Sequence, residues 1–164
     1  MISDQFLASS WRAHPGSFVG LMTLYESNYI RLGWLAGDLR QLAGVGYSHV
    51  ADDCVLKLAV VERGPYTHVL TLTYVFGSDP ARYTLIEAPN LAVRVYHDAR
   101  VAEAHALGHG GVVPTADDSS HLAARWARNM MLNKWLEYCV ERGHQFGASP
   151  AVEPMAAGRR TRQR

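Results

Sequence analysis

From Ser17 onward, apolar residues recur at steps of three and four: Phe18, Leu21, Met22, Tyr25, Tyr29, Leu32, Leu35 and Leu39. That spacing places them on one face of an α-helix. Ser17 is positioned to cap its start, and the helix is expected to end just before Gly44. Gly33 and Gly37 lie one turn apart, which would let that side approach another backbone closely.

The period then changes to two. Val45–Asp52 reads as a weak strand broken by Gly46, and Val55–Arg63 as a strong one rich in Val and Leu. In Tyr66–Phe76 the alternation is clearest. Tyr66, His68, Leu70, Leu72, Tyr74 and Phe76 share one face, and Thr67, Val69, Thr71 and Thr73 the other. Gly64-Pro65 and Gly77-Ser78-Asp79-Pro80 are turns. Arg82–Glu87 is expected to form a short strand, and Leu91–Tyr96 another after Pro89-Asn90. Val101–Ala106 fits the same strand past a bulge, the next strand or a short helix, and a β reading is preferred. Gly108-His109-Gly110-Gly111 is a loop. A second helix opens at Asp117-Asp118-Ser119-Ser120 and runs to about Arg142, with Leu122, Trp126, Leu132, Trp135, Leu136 and Cys139 as its stripe and Gly143 as its stop.

Short strands joined by tight turns must be antiparallel, because parallel neighbours need long crossovers. The fold expected is therefore α+β: an N-terminal helix, an antiparallel sheet of about five or six strands, a long C-terminal helix and a disordered C-terminal tail. Residues 1–16 form an extension, 17–144 a single domain and 145–164 a flexible basic tail.

Composition narrows the class. The 164 residues are 48% hydrophobic and 19% charged, which excludes a disordered chain. No apolar run approaches the roughly 18 residues of a membrane span, so no membrane partner is expected. The net charge of +1 is unevenly spread: four of the sixteen basic residues fall in Arg159–Arg164, and the rest of the chain carries −3. A body of that sign is a poor phosphate-binding surface, so nucleic acid could bind only through the tail. Cys54 and Cys139 make no disulfide framework, and Ile2–Trp11 lacks the basic start and long apolar core of an export signal. A cytoplasmic protein is expected.

The densest chemistry lies in Arg94-Val95-Tyr96-His97-Asp98, followed by Glu103. On an extended strand Leu91, Val93, Val95 and His97 point one way and Arg94, Tyr96 and Asp98 the other. His97, Asp98 and Glu103 are the candidate catalytic residues, although a general base needs an orienting partner that a regular strand would not draw from Asp98. The bland reading is a half-buried His beside a turn-forming Asp. Glu103, His105 and His109 have metal-ligand chemistry, but the surrounding glycines argue against a helical zinc site and no metal is expected. Gly46-Tyr47-Ser48-His49-Val50 starts like a nucleophile elbow, with Val50 in place of the final Gly. No dinucleotide fingerprint or Walker loop is present, and no cofactor is expected.

Pro89–Ala99 followed by Val101-Ala102-Glu103, Glu26 with Asn28, Glu62-Arg63 with Tyr66-Thr67, and Asn129–Cys139 with Trp135, Leu136 and Tyr138 are similar to the YqiB-like family of small proteobacterial proteins, a domain of unknown function (family 1249). The resemblance spans roughly Phe18 to His144. It emphasises Arg94, Tyr96, His97, Asp98 and Glu103 and lends nothing to His105 or His109. It implies no activity. Two features depart from it: Ala123, Ala124 and Arg125 stand where relatives carry an acidic Asp-Glu-Lys start, and Val113-Pro114-Thr115 replaces Tyr-Pro-Asn.

Arg94, Tyr96, His97, Tyr66 and Glu62 make up the candidate ligand-binding set. The favoured reading is a non-enzymatic accessory or ligand- or protein-binding domain. One alternative is a small hydrolase using His97 with Asp98 or Glu103, and another an RNA-associated factor acting through the arginine tail. An uncapped sheet edge at Val45–Asp52 or Arg82–Glu87 also allows a homodimer.

Overall fold

The computed structural model describes residues 11–12, 14–77, 86–105 and 118–147. The basic tail from 148 onward, the turn at 78–80, the loop around His109 and most of Arg82–Glu87 lie outside them.

Helix α1 spans Phe18–Ala36, with the Ser17 hydroxyl accepting the Gly20 N–H at 3.0 Å as its N-cap. It stops about two turns earlier than the periodicity suggests. Gly37 adopts φ +72°, a left-handed conformation that only glycine takes without strain, and its N–H closes the helix on the Gly33 carbonyl. Leu39 still reaches the core because a 3₁₀ turn, Leu39–Gln41, carries it there.

Among the described residues five strands follow: β1 (Val45–Ser48), β2 (Val55–Arg63), β3 (Thr67–Phe76), β4 (Ile86–Tyr96) and β5 (Val101–His105). They form an antiparallel meander in sequence order, as the α+β reading requires. The Arg82–Glu87 and Leu91–Tyr96 segments differ from expectation. Ile86 and Glu87 already pair with Phe76 and Val75, so Pro89-Asn90 lies inside β4 instead of leading into it. Proline cannot donate to a ladder, and β4 accommodates it in a register shift that sets Pro89 and Asn90 opposite Thr73, between Leu72 and Tyr74 of β3. Val101–His105 is the next strand, reached through a turn in which Arg100 has φ +55°.

Helix α2 (Asp118–Glu141) packs against α1, and both lie on one face of the sheet. The core between the layers is built from Leu32, Leu35, Leu56, Leu58, Leu70, Leu72, Val93, Val95, Leu132 and Leu136. Two aromatic residues outside 17–144 also pack: Trp11 against Leu21, Leu24, Tyr25 and Trp126, and Phe146 in the main core. No described helix is long and apolar enough to cross a membrane.

The two sheet edges are treated differently. β5 is capped by side chains: Asn28 Nδ2 donates to the Ala102 carbonyl and Asn129 Oδ1 accepts the Ala104 N–H. β1 is the other outer strand, and β5 pairs with β4 only from Ala92 onward. Among the described residues, no strand pairs with the outer side of Ile86–Asn90.

Candidate functional site

The β2–β3 turn, the β4–β5 turn and the 3₁₀ turn converge at one end of the sheet. The His97 N–H donates to the Tyr66 carbonyl at 2.9 Å, which ties the two hairpin ends together. His68 Nδ1 donates to the Leu39 carbonyl at 3.1 Å, which ties in the 3₁₀ turn. A carbonyl can only accept, so this bond fixes the Nδ1–H form of neutral His68.

Strand alternation delivers both histidines to the core face. His68 precedes Leu70 and Leu72 on β3, and His97 follows Val93 and Val95 from β4. They are 3% and 2% exposed, and their rings meet edge-on with centroids 4.5 Å apart. Among the described residues, neither nitrogen of His97 has a hydrogen-bond partner.

The two imidazoles floor a cavity of about 330 Å³ whose rim is Arg40, Arg63, Gly64 and Pro65. Arg63 Nη2 donates to the Arg40 carbonyl at 3.3 Å, and Arg40 Nη2 pairs with Asp98 Oδ1 at 3.4 Å in solvent. Burial lowers the pKa of His97 first, and His68 and Arg40 lower it further against the pull of Asp38 and Asp98. His68 is lowered by burial and by Arg63, against its bond to Leu39. Both rings are therefore neutral near pH 7.

The sequence candidates are distributed around this cleft. His97 is in its floor. Asp98 sits beside it on the surface, bonded to Arg40 and not to the imidazole. Glu103 is engaged elsewhere, accepting from the Tyr25 hydroxyl at 3.0 Å and paired with His105 Nε2 at 3.4 Å and Arg125 at 3.8 Å. Burial acts to raise its pKa, but His105, Tyr25 and Arg125 together hold it below the usual carboxylate range. Arg94 and Tyr96 alternate onto the sheet face opposite His97. Tyr66 is exposed on the adjoining turn and contributes its carbonyl, and Glu62 is exposed near the β2 bulge.

Sequence reasoning passed over Arg40, Arg63 and His68 as site residues. His68 carried a legible signal: like His97, it is a polar residue ending an otherwise apolar strand face. Arg40 had none, because only the chain reversal after Gly37 brings it to the cleft.

Two other groupings have recognisable chemistry. Ser48 Oγ lies 3.0 Å from His144 Nδ1, and His144 Nε2 lies 3.3 Å from Asp53 Oδ2. This is a Ser–His–Asp chain, but Ser48 and His144 are buried and the Gln145 N–H donates to Ser48 Oγ at 3.1 Å. A nucleophile must be presented to substrate. This one clasps the end of α2 to β1, with Arg142 completing the contact to Asp53. Cys139 is buried, and its thiol is pushed up to about 11 by burial, so it is not a thiolate nucleophile. Of the metal-type trio, His109 lies outside the described residues, and no group of three His, Cys, Asp or Glu among those residues is placed to hold a metal ion.

No curated protein and no solved structure matches the chain. A family model described as a protein of unknown function (DUF1249) matches residues 31–145, a span that takes in the whole sheet, the 3₁₀ turn, all of α2 and every residue of the cleft. The chain belongs to the DUF1249 family.

Proposed function

We propose that this protein is an accessory domain that binds a small molecule in the cleft of Arg40, Arg63, His68 and His97. One observation carries the reading: His97 is buried at the wall of a cavity, with neither ring nitrogen bonded to protein among the described residues. Buried polar side chains are nearly always partnered, and an unpartnered one costs roughly 1–3 kcal/mol. Stability given up at a concave, polar-lined position is characteristic of a binding site.

Hydrolysis through His97 draws less support. A general base needs a partner that orients it, and of the two candidate carboxylates Asp98 is committed to Arg40 and Glu103 to Tyr25, His105 and Arg125.

The test is a thermal-shift screen of nucleotides, metabolites and metal ions against wild type and His97→Ala. A ligand present at a hundred times its Kd should stabilise the fold by about 2.7 kcal/mol. The reading expects a small, chemically related set of hits that His97→Ala loses. Hits shared equally by the two proteins would place the site elsewhere, and no hits would favour a protein partner.

A further inference from the structure

The cleft's lining specifies the chemistry of what it holds. Its rim carries two guanidiniums, Arg40 and Arg63, and both side chains are exposed. Guanidiniums present fixed forks of N–H donors matched to carboxylate and phosphate oxygens. A cation is disfavoured there by both. The floor adds His97, whose two nitrogens have no partner among the described residues. A neutral imidazole offers one donor and one acceptor, and a protonated one offers two donors. An oxyanion has acceptors only, so it is matched better by the protonated ring.

Resting on the binding reading above, we infer that the ligand carries an oxyanion, a carboxylate or phosphate-type group held by Arg40 and Arg63 at the rim, and that its capture places a solvent proton on His97. The charges facing His97 make this coupling strong. Arg40 from the 3₁₀ turn and the His68 ring from β3 oppose a proton there, and Arg63 from the end of β2 adds a second cation to the same lining. Asp98 on its own turn and Asp38 at the start of the 3₁₀ turn favour one, but the Asp98 carboxylate is engaged with Arg40 on the surface. An anion seated between the arginines and the imidazole reverses that balance. His68 is less free to meet a ligand, because its Nδ1–H is already donated to Leu39 and the ring has only one nitrogen left to offer.

The proposal predicts affinity that rises as pH falls, by up to about tenfold per pH unit across the interval in which the ligand raises the histidine's pKa. The experiment is calorimetric titration of the full chain with oxalate, sulfate and inorganic phosphate at about pH 6 and about pH 8, on either side of the ordinary histidine range. Each titration is run in two buffers of different ionisation enthalpy, so that protons taken up are counted. Oxalate and sulfate stay ionised throughout, so any pH slope they show belongs to the protein. Preference for oxalate identifies a carboxylate ligand, and preference for sulfate and phosphate a phosphoryl ligand.

The expected result is saturable binding of at least one of the three, with close to one proton taken up. His97→Gln should keep the fold and much of the pH 8 affinity but lose most of the pH slope. Arg63→Met, on an exposed side chain, should weaken binding by a similar factor at both pH values. Anion binding with no proton uptake would overturn the coupling, and binding untouched by both substitutions would overturn the location. If only uncharged ligands bind and His97→Gln abolishes that binding, the oxyanion inference falls while the binding function stands. If neither anions nor uncharged compounds bind, both fall.

Discussion

Asn129 accepts the backbone N–H of Ala104 through its Oδ1 at 2.8 Å, so a helix side chain supplies the partner that a sixth strand would have given. The same oxygen accepts from Asn28 Nδ2 at 3.2 Å, while Asn28 Oδ1 accepts from Asn133. Three buried asparagines thus join α1, α2 and the edge of β5. Open strand edges invite pairing with other chains, and this network closes one edge from within.

Asn129→Ala should therefore be costly. It strands the Ala104 N–H and one Asn28 donor in the core, and each stranded group costs roughly 1–3 kcal/mol. The urea midpoint should fall accordingly, whereas Lys134→Ala on the exposed side of the same helix should change stability by less than about 0.5 kcal/mol. Equal effects from the two substitutions would remove the network from the account of stability.

This network also shows where the sequence was legible and where it was not. The strands of the middle region were readable because alternation of period two survives burial on one face, as in His68, Leu70 and Leu72. The stripe of α2 was read from Trp126, Leu132, Leu136 and Cys139, all of which are buried. Asn129 and Asn133 are equally buried on that helix, yet their polarity hid them from a pattern that sorts residues by hydrophobicity. The candidate site was half legible for a related reason. His97 stood out within a dense motif, but that motif alternates across a sheet, so Arg94 and Tyr96 end on the opposite face. The residues that complete the cleft come from turns far away in sequence, which no local pattern links to β4.

His97→Phe separates stability from binding. It replaces an unpartnered polar ring with an apolar ring of similar shape, so stability at neutral pH should be unchanged or higher by about 1 kcal/mol. The pH dependence should also change. A histidine whose pKa is lowered by folding contributes stability that is fully present above its unfolded value near 6.5 and is lost as pH falls through the folded value. Wild type should thus weaken between about pH 6.5 and more acidic conditions on account of both His68 and His97. His97→Phe should show a shallower decline, read from urea midpoints across that range. An unaltered slope would mean that His97 does not titrate with folding.

On the proposed reading Asp98 would compete for Arg40 with an anion in the cleft, since its carboxylate lies 3.4 Å from the guanidinium. The pair is exposed, and such pairs contribute about 0.2–1 kcal/mol. Asp98→Asn should therefore leave stability almost untouched and tighten binding of the anion probes by about two- to fivefold at pH 8. Weaker binding would assign Asp98 to ligand contact instead.

The Ser48–His144–Asp53 chain makes an independent prediction. As a clasp, Ser48→Ala should lower stability by about 1–2 kcal/mol through loss of the acceptor for Gln145 and the partner of His144. As a catalytic triad, it would instead abolish hydrolysis of an activated ester such as p-nitrophenyl acetate. Wild type and Ser48→Ala should release nitrophenolate at the same rate. A Ser48-dependent rate would reopen the hydrolytic reading at this position and not at His97.

Gly20 and Gly33 test the close approach that the helix sequence suggested. Gly33 was the expected contact, yet a Cβ there meets nothing within 4 Å, and the position borders a surface cavity of about 320 Å³. The close approach occurs at Gly20, where a Cβ would lie 2.3 Å from the His14 carbonyl oxygen and 2.9 Å from Trp126 Cζ2. Trp126 is held in that position by its indole N–H, which donates to the Ser17 carbonyl at 2.9 Å. Gly33→Ala should raise stability by about 0.5–1 kcal/mol, because alanine restricts the unfolded chain and favours helix. Gly20→Ala should lower it by about 1–3 kcal/mol despite the same propensity gain, because backbone or indole must move. Thermal melts of the two single variants read this directly: opposite signs are expected, and a shared sign would mean that the α1 start and Trp126 are not packed as the structure has them.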